Sequence, residues 1–266
     1  MSTLAGKSIV VTGSGQGLGR AYALDAARAG ASVVVNDVDA TATQSVVAEI
    51  LDNGGSAIAA VGSAADWDGA RHLVDTCVTR FGAIDGFVAN AAIKHEGLPW
   101  DETEAGLRRI VDVNVLGVMF GGTHAMRAMV DSGRGGSVVT VVSGARFGIP
   151  GMSAYGATKG AVAGMTLNWA IEGMPHHVRV NAISPLGRTR MSSVDARDDA
   201  PQFPDPAAVA PLVTALLSDD TVGTTGRIIR FDGTTLSQYA DAALEDGEER
   251  ASWTVAELAA SVRRWR

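Results

Sequence analysis

The stretch Ser8–Asp37, SIVVTGSGQGLGRAYALDAARAGASVVVND, decides the fold. It opens with a short β-branched run, Ser8–Val11, which predicts a strand that is apolar on both faces. A glycine-rich turn follows at once, and residues 18–29 then have helical spacing up to Gly30, a residue typical of a helix C-cap. A second apolar run, Ser32–Asn36, predicts the next strand. Strand, turn, helix and strand in this order predict a parallel β-α-β unit.

The rest of the chain repeats this alternation without an internal repeat, a low-complexity tract or a dividing linker. We therefore expect one α/β domain over residues 1–236, a doubly wound parallel seven-stranded sheet of the Rossmann type, followed by a C-terminal helical extension over residues 237–266. In the extension, Thr254 and Glu257 are spaced as a capping box and predict a last helix. The further predicted strands are 57–61, 86–89, 136–142, 178–183 and 227–231, and the further predicted helices are 41–52, 66–81, 102–132, 153–172 and 206–218.

Composition narrows the classes of function. The 266 residues are 46% hydrophobic and 19% charged, and the formal net charge of −7 argues against nucleic acid or an anionic membrane as a partner. We see no apolar run near the roughly 18 residues needed to span a bilayer, and no signal-peptide pattern. The single cysteine, Cys77, lies in an apolar-periodic run and is expected to be buried, which fits a reducing, cytoplasmic location. No spacing of His, Cys or carboxylate residues suggests a metal site.

The glycines of the first turn form a candidate phosphate-binding loop. Gly13, Gly15, Gly17 and Gly19 lie between a strand and a helix, where a backbone without side chains can approach a pyrophosphate. The free N–H groups at the start of the helix present positive potential to the same anion. The pattern predicts a dinucleotide-binding site at this turn.

Asp37 indicates which dinucleotide is bound. It closes the second strand about 20 residues after the turn, where a carboxylate can accept hydrogen bonds from the ribose hydroxyls of an adenosine. The carboxylate would repel a 2′-phosphate, and neither Gln16 nor Val38 provides a cation, so we expect NAD rather than NADP. The alternative is a structural role for Asp37, as a cap of the turn before the next helix.

A second motif lies far along the chain, in SGARFGIPGMSAYGATK at Ser143–Lys159. Tyr155 and Lys159 are one helical turn apart, so the phenol and the ammonium share a face. A lysine charge about 4 Å away, at an effective dielectric of about 20, would lower the tyrosine pKa from ~10 by about three. Such a tyrosine is a usable proton shuttle near neutral pH, and a hydroxyl such as that of Ser143 could hold a substrate oxygen. A helix that carries the pair by chance is the alternative.

With these motifs in order, the chain resembles the classical short-chain dehydrogenase/reductase family over nearly all of its first domain. The segments that carry the resemblance are Thr12-Gly-Ser-Gly-Gln-Gly-Leu-Gly19, Ala89-Asn-Ala-Ala92, Asn114, Ser143, Tyr155-Gly-Ala-Thr-Lys159, Val180-Asn-Ala-Ile-Ser-Pro185 and Thr225-Gly226.

The resemblance implies an oxidoreductase that transfers hydride between NAD and a carbinol carbon, with Tyr155 as general acid and base and Ser143 bound to the substrate oxygen. Lys159 is implied to bind the nicotinamide ribose and to lower the pKa of Tyr155, and Asn114 to hold a water of a proton relay. A non-catalytic nicotinamide-binding sensor on the same fold is the alternative function. The implied cofactor-binding set is Gly13, Ser14, Gln16, Gly17, Leu18, Gly19, Asp37, Ser63, Ala64, Asn90, Ala91, Tyr155, Lys159, Pro185, Leu186 and Thr189.

The chain departs from the usual family pattern at several points. Ala92 replaces a glycine, Ser63 stands where many members have an aspartate, and Leu186 interrupts the usual Pro-Gly pair. Ser143 lies one residue closer to Tyr155 than in most members, so an ungapped comparison places Val142 at the position of the serine, whereas strand register favours Ser143.

The substrate is less well determined by the sequence. The loop 93–95, the segment 144–152 and the segment 186–204, with residues 195–204 as a lid, are expected to form a largely apolar pocket for a small molecule. The phrases VVVND and SPLGRTRM resemble the hydroxyacyl-CoA dehydrogenase branch, and cyclic alcohols or ketones are equally compatible. The family resemblance also implies a homotetramer or homodimer.

Overall fold

The structure is a computed structural model that describes residues 3–187, 203–240, 252 and 254–262. All seven predicted strands form one sheet, in the order β3-β2-β1-β4-β5-β6-β7, and every neighbouring pair among them is parallel. A short eighth strand, which the sequence analysis did not predict, pairs antiparallel with β7 at the edge of the sheet. The strands are β1 Ser8–Val11, β2 Ser32–Asp37, β3 Ser56–Val61, β4 Gly86–Ala89, β5 Gly136–Val141, β6 Val178–Pro185, β7 Ile228–Phe231 and β8 Leu236–Gln238.

Helices cover both faces of the sheet, as a doubly wound fold requires. Successive residues of a strand point to opposite faces, so Ile9 and Val11 pack in one apolar cluster with helices α1, α2 and α7, while Val10 packs in the other with α3, α5 and α6. Cys77 is fully buried in the second cluster, as the sequence predicts. The helices are α1 Gly17–Arg28, α2 Ala40–Asp52, α3 Trp67–Phe81, α4 Glu104–Val111, α5 Gly117–Asp131, α6 Ser153–Gly173, α7 Pro206–Leu217 and α8 Val255–Val262.

The single long helix expected over residues 102–132 is instead interrupted. Helix α4 ends at Val111, the segment Asp112–Leu116 forms a π-helical turn, and α5 begins at Gly117. An extra residue in one turn rotates the side chains that follow it, and such turns are common at functional sites. The buried Asn114 lies in the middle of this segment, so the interruption decides where its amide points.

The last helix begins with the predicted capping box. The backbone N–H of Thr254 donates to Oε2 of Glu257 at 2.8 Å, and the N–H of Glu257 donates to Oγ1 of Thr254 at 3.3 Å. These reciprocal bonds satisfy backbone groups that the start of a helix leaves open. Within the described part of the chain, no helix has the length and apolar character needed to cross a membrane.

The strand order determines where the sheet can form a ligand-binding crevice. The chain leaves β1 toward β2 and β3 on one side, and returns to β4, β5 and β6 on the other. The loops after β1 and β4 therefore separate at the carboxyl edge of the sheet and leave a crevice, the position where open α/β sheets bind ligands.

Candidate active site

A cavity of about 1070 Å³ lies in this crevice. Its walls come from the loops that follow β1 to β6, so residues far apart in sequence meet in one space. Most of the predicted site residues line it, namely Gly13, Gln16, Gly17, Leu18, Gly19, Asp37, Ser63, Ala64, Asn90, Ala91, Ser143, Tyr155, Lys159, Pro185 and Leu186.

The glycine loop needs glycine for two physical reasons. Gly13 and Gly17 have φ values of 62° and 57°, in the left-handed region that side chains disfavour. A Cβ at Gly19 would lie 2.1 Å from the carbonyl oxygen of Gly13, and one at Gly13 would lie 2.8 Å from Cα of Ala91. The loop is therefore packed without room for side chains, and helix α1 begins at Gly17 on the wall of the cavity.

The loop after β4 braces the glycine loop. The side-chain amide of Asn90 donates to the carbonyl oxygens of Thr12 and Gly13, at 3.0 Å each. The backbone N–H groups of Asn90 and Ala91 both donate to Oγ1 of Thr12, at 3.0 and 3.1 Å. Asn90 thus fixes the shape of the glycine loop, in addition to lining the cavity.

Ser14 is the described member of the predicted cofactor set that does not line the cavity. Its hydroxyl is buried, donates to the carbonyl oxygen of Val11 at 2.8 Å, and accepts from the N–H of Asn36 at 3.0 Å. Its own N–H donates to the carbonyl oxygen of Asn36 at 2.7 Å. Ser14 therefore ties the end of β1 to the end of β2, which differs from the expected contact with a ligand.

Asp37 lies at the end of β2, on the wall of the cavity. Its Oδ2 accepts from the N–H of Gly15 at 3.0 Å, and its Oδ1 accepts from the N–H of Asp39 at 3.2 Å. The glycine loop thus orients the carboxylate, while the neighbouring wall residues Gln16 and Val38 carry no charge. Helix α2 itself is capped by Asp39, whose carboxylate accepts from Ala42 at 3.0 Å. The bond from the N–H of Asp39 to Asp37 caps the turn before that helix, so the structural role of Asp37 stands beside the proposed role in ribose binding.

Helix α6 carries the tyrosine and the lysine. The Nζ atom of Lys159 lies 5.6 Å from the centre of the Tyr155 ring, and it donates to the carbonyl oxygen of Val141 at 2.8 Å. Lys159 is almost completely buried, and burial lowers the pKa of its ammonium to about 8. The lysine is therefore fixed between α6 and β5, with its charge directed at a backbone carbonyl.

The expectation that Lys159 lowers the pKa of Tyr155 stays a prediction, because in the protein by itself the net shift has the opposite direction. Burial raises the pKa of the phenol above its usual value, and the side-chain hydrogen bond with Ser143 opposes this only in part. The expected lowering requires a fully charged lysine about 4 Å from the phenol at an effective dielectric of about 20. In the structure, burial disfavours the charged form of both groups.

Ser143 follows β5 and begins a short 3₁₀ turn, Gly144–Phe147. Its Oγ accepts from the N–H of Ala145 at 3.2 Å and hydrogen-bonds with Tyr155. The neighbouring Val142 is instead buried in the apolar core. The shortened spacing therefore still brings Ser143, and not Val142, to the tyrosine.

Asn114 has every side-chain group engaged. Its Oδ1 accepts from the N–H of Ile93 at 2.8 Å, and its Nδ2 donates to the carbonyl oxygen of Ile93 at 2.9 Å and to Oγ1 of Thr158 at 3.1 Å. Thr158 in turn donates to the carbonyl oxygen of Tyr155 at 2.8 Å. The amide thus joins the loop after β4 to helix α6 behind the tyrosine. Sequence reasoning missed Thr158, although it lies inside the Tyr-Gly-Ala-Thr-Lys motif.

The outer wall of the cavity is partly predicted. Ile149 and Met152 line it, whereas Phe147 packs against Tyr239 at the end of β8. Thr189, Met191 and most of the expected lid lie outside the described residues. The sequence analysis also missed one wall, the face of Gly106, Arg109 and Val113, whose spacing of three and four residues is the available signal.

Comparisons with known proteins agree with this geometry. The sequence matches the family model described as short chain dehydrogenase over residues 7–199. The 2,5-dichloro-2,5-cyclohexadiene-1,4-diol dehydrogenase of Sphingobium indicum is 34% identical over 248 residues, which cover 88% of this chain and 98% of that protein. A 3-oxoacyl-(acyl-carrier-protein) reductase of Thermotoga maritima is 32% identical over 241 residues, 86% of this chain and 98% of that one.

A crystal structure of a short chain dehydrogenase from Mycobacterium avium superposes with a TM-score of 0.89 at 34% identity, and the match covers 98% of this chain and 94% of that one. Sequence and fold thus agree over nearly the whole length. The chain belongs to the short-chain dehydrogenase family and is an oxidoreductase of the kind that uses a nicotinamide dinucleotide.

Proposed function

We propose that the protein is an NAD-dependent dehydrogenase that interconverts a secondary alcohol and a ketone, with Tyr155 as the general acid and base. The observation that carries this proposal is the hydrogen-bonded pair Ser143–Tyr155 in the same cavity as the glycine loop, with Lys159 one helical turn away. Two hydroxyls that can share one substrate oxygen suit proton transfer at a carbinol.

The residues present fit a bound dinucleotide. The glycine loop offers a backbone surface on which a Cβ at Gly13 or Gly19 would collide, and the start of α1 offers N–H groups to a pyrophosphate. Asp37 is oriented by Gly15 at the point where an adenosine ribose would lie after β2. When bound, the nicotinamide supplies the hydride acceptor for oxidation and the hydride donor for reduction.

Tyr155 and Ser143 divide the work on the substrate oxygen. Ser143 holds the oxygen through a hydrogen bond, because its hydroxyl lines the same cavity and interacts with the phenol. Tyr155 takes the hydroxyl proton during oxidation and returns it during reduction. The raised pKa of the phenol means that it is protonated at neutral pH, so the resting form of the protein is ready to donate a proton to a ketone.

Lys159 and Asn114 are both connected to Tyr155 through helix α6. Burial sets the pKa of Lys159 to about 8, so this ammonium exchanges protons near neutral pH more readily than an exposed lysine. Asn114 fixes the backbone of Tyr155 through Thr158. We propose that Lys159 exchanges protons with the phenol, and that Asn114 positions the helix that carries both.

The test is a spectroscopic assay of reduced nicotinamide with purified protein, NAD or NADP, and a panel of secondary alcohols and 3-hydroxyacyl thioesters. We expect turnover with NAD, and transfer of deuterium to the nicotinamide from an alcohol labelled at the carbinol carbon. Ser143→Ala should reduce kcat by about 10²-fold or more, the scale of losing one positioned hydrogen bond to the reacting oxygen. Binding of NAD without turnover of any alcohol in the panel would contradict the proposal.

The preference for NAD has its own test. A carboxylate at position 37 repels a 2′-phosphate, and Gln16 and Val38 offer no compensating cation. The double variant Asp37→Ser, Val38→Arg should therefore shift the ratio of kcat/KM values from NAD toward NADP, while Asp39→Ser, a change in the neighbouring helix cap, should leave that ratio unchanged. An unchanged ratio in the double variant would assign Asp37 a structural role only.

The relatives leave two substrate classes open, since one is named for a cyclic diol and the other for a 3-oxoacyl thioester. The cavity walls that include Ile149, Met152 and Leu186 support a substrate with an apolar body. We propose a cyclic alcohol or ketone as the first substrate class to test.

A further inference from the structure

The loop Ile93–Gly97, which follows β4, is fastened at both ends to the elements that carry the proposed catalytic residues. At one end, the backbone N–H and C=O of Ile93 form two hydrogen bonds with the side-chain amide of Asn114. At the other end, the N–H of Gly97 donates to the carbonyl oxygen of Gly151 at 2.9 Å, and Gly97 forms a β-bridge with Met152, directly before helix α6. The side chains of this loop are therefore held at a fixed position relative to Tyr155.

His95 lies at the middle of the loop, lines the cavity and is paired with a buried carboxylate. Its Nε2 lies 2.8 Å from Oε2 of Glu102, whose side chain is only 5% exposed, whereas the His95 side chain is 43% exposed. The pair packs against the backbone of Gly97, where a Cβ would lie 3.1 Å from Oε1 of Glu102 and 3.2 Å from Nε2 of His95. The pair is therefore in close contact with the loop.

The pairing leaves one nitrogen of the imidazole for a ligand. Glu102 accepts the N–H at Nε2, so Nδ1 is the atom that remains, and it makes no hydrogen bond with any residue in the described ranges. The second oxygen of Glu102, Oε1, is also buried without a hydrogen-bond donor among those residues. A buried carboxylate with an oxygen that accepts no hydrogen bond costs free energy, unless its interaction with a partner offsets that cost. The partner here is a histidine on the wall of the cavity.

The charges around His95 favour a neutral polar group over an anion. The adjacent Lys94 is paired with Glu96, and Glu102 adds a second negative charge behind the imidazole. An imidazole whose Nε2–H is held by a carboxylate presents Nδ1 as an acceptor when it is neutral and as a donor when it is protonated. A hydroxyl suits both states, because it can donate to such an atom or accept from it.

We propose that His95, oriented by Glu102, binds a second hydroxyl of the substrate, distinct from the carbinol that reacts, so that the preferred substrate is a diol with an apolar ring or chain. This inference rests on the proposed function, because it concerns the same cavity. It assigns His95 a role in specificity and Glu102 a role in positioning.

The experiment compares cyclohexanol with the cyclohexanediols whose hydroxyls lie on neighbouring, alternate and opposite ring carbons. We expect the wild type to prefer one diol over cyclohexanol in kcat/KM. His95→Phe should reduce this preference roughly 3- to 12-fold, the range for one lost hydrogen bond, mainly through a higher KM for the diol. His95→Gln, which can still form a hydrogen bond, should retain part of the preference.

Two further variants separate positioning from folding. Glu102→Gln keeps the shape of the side chain but not its charge, so it should also lower the preference for the diol. His72→Phe, a change of an exposed histidine on α3 outside the cavity, should leave both activities as in the wild type.

The possible failures are distinguishable. If the wild type oxidises no alcohol at all, the proposed function is wrong. If the wild type oxidises both cyclohexanol and a diol, but His95→Phe changes the two kcat/KM values by the same factor, the inference is overturned while the proposed function stands. Equal kcat/KM values for cyclohexanol and every diol in the wild type would also overturn it.

Discussion

Removal of the Lys159 ammonium should stabilise the fold at neutral pH, although the same change should harm catalysis. The side chain is only 2% exposed, and burial lowers its pKa from 10.5 to about 8. The difference between these pKa values corresponds to roughly 3 kcal/mol of unfavourable free energy for the charged form in the folded state. The variant Lys159→Met removes this charge, while the carbonyl of Val141 loses a hydrogen bond worth about 1 kcal/mol. We therefore expect a net gain of about 2 kcal/mol.

The difference in the free energy of unfolding between wild type and Lys159→Met should depend on pH in one direction. Below about pH 8 the lysine is charged in both states and the full penalty applies to the folded protein. As the pH rises from about 8 to 10.5, the folded state loses its proton before the unfolded state does, so the contribution of Lys159 to the free energy of unfolding increases. The advantage of Lys159→Met should accordingly shrink across this window.

The assay is urea unfolding of wild type and variant at several pH values in this range, at one fixed protein concentration because the proposed self-association would contribute to apparent stability. Cys77, whose pKa burial raises to about 12, lowers stability at high pH in both proteins and cancels in the difference. Lys7→Met, which removes a surface ion pair with Asp219, is the matched control and should change stability by less than about 1 kcal/mol at any pH. A Lys159→Met protein that is less stable than wild type at neutral pH, with an unchanged pH trend, would refute the reasoning.

Three further predictions concern the loop, the core and assembly. Gly19→Ala should abolish dinucleotide binding measured by calorimetry, because the added Cβ would lie 2.1 Å from the Gly13 carbonyl oxygen. Near-normal affinity would contradict the close packing of the glycine loop. Tyr22→Phe should be neutral or stabilising by about 1 kcal/mol in thermal unfolding, since the hydroxyl is buried without a hydrogen-bond partner among the described residues. A clear loss of stability would show that the hydroxyl does have a partner. Leu107 and Val111 form an exposed apolar face of α4, and each is 41% exposed. If the proposed homotetramer or homodimer uses this face, Val111→Glu should weaken self-association measured by light scattering. Unchanged assembly would exclude that face.

The sequence was sufficient for the fold because its signals are local and repeated. Seven apolar runs alternate with helical segments, and a β-α-β chain with such strands has few ways to bury both faces of its sheet. The short β8 escaped prediction because its residues are exposed and it is defined by pairing with β7 rather than by its own pattern. The π-helical turn around Asn114 escaped for a similar reason, since it depends on contacts with Ile93 and Thr158 from other parts of the chain.

The sequence predicts which residues line the candidate site better than it predicts the pKa values of their side chains. Spacing alone placed Tyr155 and Lys159 on one helix face, and strand register selected Ser143 over Val142. Spacing does not show how deeply a group is buried, and burial raises the pKa of Tyr155 in the protein by itself. The sequence also does not reveal that His95 in the loop after β4 pairs with Glu102 seven residues later.

The central claim is that Tyr155 transfers the proton during oxidation of a secondary alcohol. The most direct test is kcat for the best alcohol in Tyr155→Phe, measured beside Tyr22→Phe, which removes a tyrosine hydroxyl from the core instead of the cavity. We predict that Tyr155→Phe still binds NAD but loses about 10²- to 10⁴-fold in kcat, the usual contribution of a positioned acid or base, while Tyr22→Phe retains activity. A Tyr155→Phe protein that turns over at the wild-type rate would contradict the account.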